Sequence, residues 1–96
     1  MQIKYKSKKL ERICNDFGDA KKRYSEEMAV KIQQRIQELS AADSIIILLQ
    51  FSIGGCHSLK GNRKGQYAMD LVQPFRLLFE KVDEQTIRII SIQDYH

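Results

Sequence analysis

The sequence predicts an α+β fold, with an N-terminal strand and a helical hairpin packed on an antiparallel sheet. Three observations carry that expectation. An amphipathic stripe at helical spacing runs through residues 20–41. Beyond residue 65, three apolar-rich segments alternate at strand spacing between turn residues. The helical signals come before these strand signals, which is the order of a layer in which helices cover one face of a sheet.

The elements follow in order. Gln2, Ile3, Lys4, Tyr5 and Lys6 alternate polar and apolar side chains, as a short half-exposed strand does. Ser7 can cap a helix over residues 8–16, in which Leu10, Ile13, Cys14 and Phe17 recur at helical spacing and Gly18 supplies the stop. Asp19 then caps a helix over 20–41, whose apolar stripe is Tyr24, Met28, Ile32, Ile36 and Leu39. Asp43 or Ser44 can start a further short helix through Gln50, although the isoleucines there suit a buried strand equally well. Gly54 and Gly55 end the segment in either case.

A basic loop with Lys60, Arg63 and Lys64 among glycines follows over 56–65. Strands are expected over 66–72, 75–82 and 87–96, joined by Gln73-Pro74 and by Asp83-Glu84-Gln85. With a two-residue connection at Gln73-Pro74, Arg76 shares a face with Tyr67, Met69 and Leu71; a shift of one residue reverses this.

At 96 residues the chain is a single domain, 1–96, with a core sufficient to fold but too small to enclose a large cofactor. Any site is therefore expected to be a shallow surface groove. A hydrophobic fraction of 43% with 29% charged residues is that of a globular protein rather than a disordered one. The net charge of +4 and pI near 9.2 point to an anionic partner, and nucleic acid, an acidic protein or a membrane surface all satisfy charge alone. Cys14 and Cys56 lack the spacing of a disulfide framework or zinc site and read as free thiols. The longest uncharged apolar stretch, 44–57, is too short to span a membrane, and no signal-peptide pattern precedes it, so a cytoplasmic location is expected.

Chemistry concentrates late in the chain. Asp94, Tyr95 and His96 follow the last strand, Arg76 lies on its neighbour, and His57 and Lys60 lie in the loop leading into the sheet. Cleavage of a phosphodiester by internal attack of the 2′-hydroxyl needs a base, an acid and cations for the charge that grows on phosphorus. His57 and His96 can supply the first two, Lys60 and Arg76 the third, and Asp94 can hold a histidine in its useful tautomer. Tyr95 offers a stacking surface for an unpaired base. Alternation along the strand places Asp94 and His96 on one face, expected to meet Arg76 and the His57 loop in an open basic groove, and Tyr95 on the other face. The competing readings are structural: a frayed end at His96, an ion pair of Arg76 with Glu80, and a solvated loop at Lys60, Arg63 and Lys64.

The segment CHSLKGNRKGQYAMDL (56–71), the segment PFRLLFE (74–80) and the terminal Asp94-Tyr95-His96 together resemble the HigB branch of the RelE/ParE toxin superfamily. That resemblance is specific in the second half of the chain and generic in the first. It implies a RelE/microbial-RNase-like α+β domain that acts as a ribosome-dependent mRNA endoribonuclease (an mRNA interferase), cutting mRNA in the ribosomal A site and silenced by a HigA-like antitoxin. Carried onto this sequence, it implies an active site of His57, Lys60, Arg76, Asp94, Tyr95 and His96. His57, Asp94 and His96 share the acid/base work, Lys60 and Arg76 bind the scissile phosphate, and Tyr95 orients the nucleotide. Arg63 and Lys64 are expected to contact RNA or ribosome backbone. No metal or other cofactor is expected, operator DNA is reached only through the antitoxin, and no membrane is involved. The apolar segment 44–51 departs from the pattern, since relatives often carry charge there. Two other readings remain at this point: a non-enzymatic ParE-like inhibitor of DNA gyrase, and an inactive member that only binds its antitoxin.

Overall fold

The computed structural model describes residues 1–95, and His96 lies outside the described residues. Strand β1 (Gln2–Tyr5) is followed by helices α1 (Lys8–Asn15), α2 (Phe17–Arg23), α3 (Glu26–Ala41) and α4 (Ile45–Gln50). Strands β2 (His57–Ser58), β3 (Gln66–Asp70), β4 (Phe75–Asp83) and β5 (Thr86–Asp94) complete the chain. Short 3-10 turns at Ile53–Gly55 and Gly61–Arg63 flank β2.

The helical half is more broken than its apolar stripe suggests. Ser7 caps α1 as expected, its hydroxyl accepting from the Leu10 N–H at 3.1 Å. Gly18 does not end a helix. It lies inside α2, which Asp16 rather than Asp19 caps by accepting from the Asp19 N–H at 3.0 Å. The expected single helix over 20–41 stops at Arg23 and restarts at Glu26. Ser25, extended at φ −170°, accepts from the Met28 N–H at 3.0 Å, and Glu26 and Glu27 place negative charge in the first turn. The stripe survives the break because Met28, Ile32 and Leu39 stay on one buried face. The segment after Ser44 is a helix: Ile45 and Leu48 are buried three residues apart while Ile46 is exposed, which strand alternation cannot produce.

The sheet is five-stranded with order β1-β5-β4-β3-β2. Four strands pair antiparallel, but β1 lies parallel to β5, with Ile3 beside Ile87 and Tyr5 beside Ile89, so the sheet is mixed rather than purely antiparallel. The α+β class holds, with α1–α4 covering one face. Leu10, Ile13, Met28, Ile32 and Leu39 pack there against Met69, Leu77, Phe79, Ile87 and Ile89. Burying a side chain such as Phe79 contributes roughly 1.5–3 kcal/mol. Among the described residues, no helix is long and apolar enough to cross a membrane.

Two register features decide what reaches the other face. Leu71 donates to the Phe75 carbonyl at 3.1 Å, and Asp70 pairs with Arg76. The β3–β4 connection thus spans three residues, with a cis Gln73-Pro74 bond, and Arg76 shares a face with Asp70 and Ala68, not with Met69 and Leu71. The second feature is a bulge in β5. Leu78 pairs with Ser91 but Phe79 pairs with Ile89, which leaves Ile90 as one extra residue.

Candidate active site

On the open face of the sheet, Asp70, Arg76 and Gln93 form one row across β3, β4 and β5. His57, Ala68, Leu78 and Ser91 form the adjacent row across β2 to β5. The chain runs one step beyond β5, where the Tyr95 N–H donates to the Pro74 carbonyl at 3.0 Å. That extra rung puts Tyr95 on the same face as Gln93 and Arg76, not on the opposite face as strand alternation from Asp94 and His96 suggested. The Arg76 guanidinium carbon sits 4.7 Å from the ring centroid, a cation–π contact.

Arg63 approaches from the opposite side. The Gly61–Arg63 turn folds back over the sheet, and Arg63 Nη1 donates to Tyr95 Oη at 3.1 Å and to Gln93 Oε1 at 3.5 Å. Two guanidinium groups therefore hold one phenol, one over its face and one at its hydroxyl. The carboxylate of Asp70, with Oδ1 3.8 Å from Arg76 Nε, is the anion paired with this cationic pair. Such a cluster, half-exposed, is built to receive further negative charge beside a flat aromatic surface.

His57 stands on β2, not in an irregular loop as the sequence suggested. Its Nδ1 lies 3.0 Å from the Gly55 carbonyl oxygen. A carbonyl only accepts, so Nδ1 carries the hydrogen, and in the neutral ring Nε2 holds the lone pair. That is the arrangement a general base needs. Gly55 reaches this position at φ +67°, in the left-handed region that glycine occupies without strain. The neighbouring Cys56 is no nucleophile: burial pushes its thiol pKa up to about 11. Cys14, in the core of the helical layer, is pushed to about 12 by the same cause.

The structure thus brings His57, Arg76 and Tyr95 to one face, with Lys60 and Lys64 exposed on the flanking turn. Asp94 does not join them. It pairs with Phe75, on the helix-covered side of the ladder, so the expectation that it shares a face with Arg76 is overturned for this residue. The bulge is the cause. In the register of Phe79 with Ile89 continued flat, Asp94 falls on the face of Arg76; the extra residue Ile90 exchanges it for Gln93 and Tyr95. His96 lies outside the described residues. Asp70 and Gln93, which the sequence did not single out, lie in the row of Arg76, and Arg63, expected to contact RNA or ribosome backbone, reaches Tyr95 and Gln93. The apolar doublet Ile89-Ile90, which interrupts the alternation of Ile87 and Ile89 and restarts it toward Ile92, is the sequence signal of the bulge.

Among solved structures, the chain is similar to the YoeB/ParE toxin from Agrobacterium tumefaciens, at a TM-score of 0.67 and 15% identity over 100% of both chains. It is also similar to the YoeB-YefM complex from Staphylococcus aureus, at 0.66 and 24% over 100% of this chain and 97% of the other. The YoeB dimer from the same organism matches at 0.65 and 23%, with the same coverage of 100% and 97%. The chain has the fold of the YoeB/ParE-type toxins. No family model matches the sequence, and no curated protein matches it.

Proposed function

We propose that this chain is the toxin of a type II toxin-antitoxin pair, of the HigB branch of the RelE/ParE superfamily, and that it cleaves mRNA in the ribosomal A site. The observation that carries the reading is the clamp of Arg63 and Arg76 on Tyr95, on the same sheet face as a histidine whose Nε2 is available as a base. A pure binding protein has no need of an imidazole with an ordered tautomer on the same sheet face as a paired cation site.

In the proposed reaction, one histidine takes the proton of a ribose 2′-hydroxyl, and the 2′-oxygen forms a bond to the adjacent phosphorus. The bond from phosphorus to the 5′-oxygen breaks, and that oxygen receives a proton from the acid, leaving a 2′,3′-cyclic phosphate and a 5′-hydroxyl. His57 and His96 divide the base and acid roles. Asp94, on the other side of the ladder, is left out of them. Arg76 and Lys60 offset the charge that develops on the phosphoryl oxygens, Tyr95 stacks on the unpaired nucleotide, and Arg63 keeps Tyr95 in place. Lys64 adds sequence-independent attraction to the RNA backbone. A HigA-like antitoxin is the proposed silencing partner, in keeping with the YoeB-YefM complex to which the fold is similar, with operator DNA reached through it. The site of action is the cytoplasm.

Expression of the wild-type chain is expected to arrest growth and to cut translated transcripts, and Arg76→Ala to relieve both. Growth arrest with intact transcripts would sink the proposal. Loss of gyrase supercoiling in the same extracts would favour a ParE-like inhibitor instead.

A further inference from the structure

Asp70 is a residue with no role in the site as proposed, yet it touches both halves of it. Its carboxylate faces Arg76 Nε at 3.8 Å across the β3–β4 ladder. On its other side the carboxylate packs against Gly55, so closely that a Cβ at Gly55 would collide with Asp70 Oδ2. Gly55 is the residue whose carbonyl takes the His57 Nδ1 hydrogen. The main chain of Asp70 is clamped from beneath. Arg35, buried in α3, donates Nε to the Asp70 carbonyl at 2.6 Å and is itself held by Glu38 at 2.8 Å.

We infer that Asp70 is a positioning residue for Arg76, and this rests on the endoribonuclease reading above. An exposed arginine samples many rotamers, and each must be given up when it grips a phosphate. Arg76 is restrained on two sides. Tyr95 covers one face of the guanidinium, and Asp70 stands at its Nε edge. The pair of terminal Nη nitrogens is the edge left open, and it is the fork that matches two phosphoryl oxygens. A carboxylate at the Nε edge fixes which way that fork points before substrate arrives. Because Asp70 is anchored through Arg35 and boxed in by Gly55, the restraint is tied to the rigid layer of the fold rather than to another mobile side chain.

Two measurements test this. The first is the order of the Arg76 Nε–H group by nitrogen-15 relaxation in the free, full-length protein. Arg76 is expected to be rigid, with an order parameter above about 0.6, while exposed Arg23 in the same molecule is mobile. Asp70→Asn, which keeps the shape and removes the charge, is expected to make Arg76 mobile without unfolding the protein. An Arg76 as mobile as Arg23 in the wild type, or equally rigid in Asp70→Asn, overturns the inference whether or not any RNA is cut. The second is cleavage of mRNA on programmed ribosomes. Misplacing the fork is expected to lower kcat on the order of 100-fold with little change in KM, and Asp70→Glu is expected to recover part of the loss. Wild-type kinetics in Asp70→Asn would overturn the inference. Absence of cleavage by the wild type sinks the endoribonuclease reading instead, while the relaxation result still decides the role of Asp70.

Discussion

The two faces of the sheet use the same strands to opposite ends. On the helix-covered face, Leu77, Phe79, Ile87 and Ile89 are fully buried against α1 and α3, and each is held by several neighbours at once. On the open face, Arg63, Arg76, Tyr95 and His57 are each fixed by one or two polar contacts. Apolar packing is redundant and indifferent to chemistry, whereas a few directional contacts leave reactive edges available. The lesson is that stability and reactivity can be altered separately here, one face at a time.

Breaking the comparison on the buried side should give the largest effect. Phe79→Ala is expected to cost about 3–5 kcal/mol, a large share of the roughly 5–15 kcal/mol that holds a domain together. Denaturant unfolding would show it as a lower midpoint. Arg76→Ala on the open face should do the reverse, lowering RNA cleavage about 100-fold or more while moving stability by less than about 1 kcal/mol. Equal losses of stability in these two variants would erase the distinction between the faces. Ser25→Ala, at the break between α2 and α3, should cost about 1 kcal/mol through the lost cap, read by the same unfolding curves. The smallest effect is expected at the far turn. The Gln85 N–H and then the Thr86 hydroxyl donate to the Asp83 carboxylate and lower its pKa below the ordinary 3.8. A lowered folded-state pKa means that the contribution is present at neutral pH and lost as pH falls through that value. Asp83→Asn should therefore be slightly less stable than wild type at neutral pH, and the two should converge in acid.

Much of the fold was legible because it rests on patterns of local origin. The Ser7 cap, the stripe from Met28 to Leu39 and the alternation of β3 and β4 all follow from spacing. The break at Ser25 was hidden because the apolar stripe continues across it in phase, although Ser25 followed by two glutamates is a start signal. The parallel pairing of β1 with β5 had no local signal, since it joins segments more than eighty positions apart in the order of the chain. In the site, residue types were legible and geometry was not. Arg76 and Tyr95 were singled out as residue types, but Tyr95 was expected on the face away from Arg76 and Asp94 on the face toward it; only the register shows that Asp70 lies opposite Arg76 and that Tyr95 and Asp94 exchange places.

The bulge at Ile90 divides β5 into two independent reading frames. Upstream, Ile87 and Ile89 are phased to the core; downstream, Gln93 and Tyr95 are phased to the guanidinium pair. One extra residue between them sets which downstream side chains reach the open face, while Ile92, beside Leu77, still packs against the core.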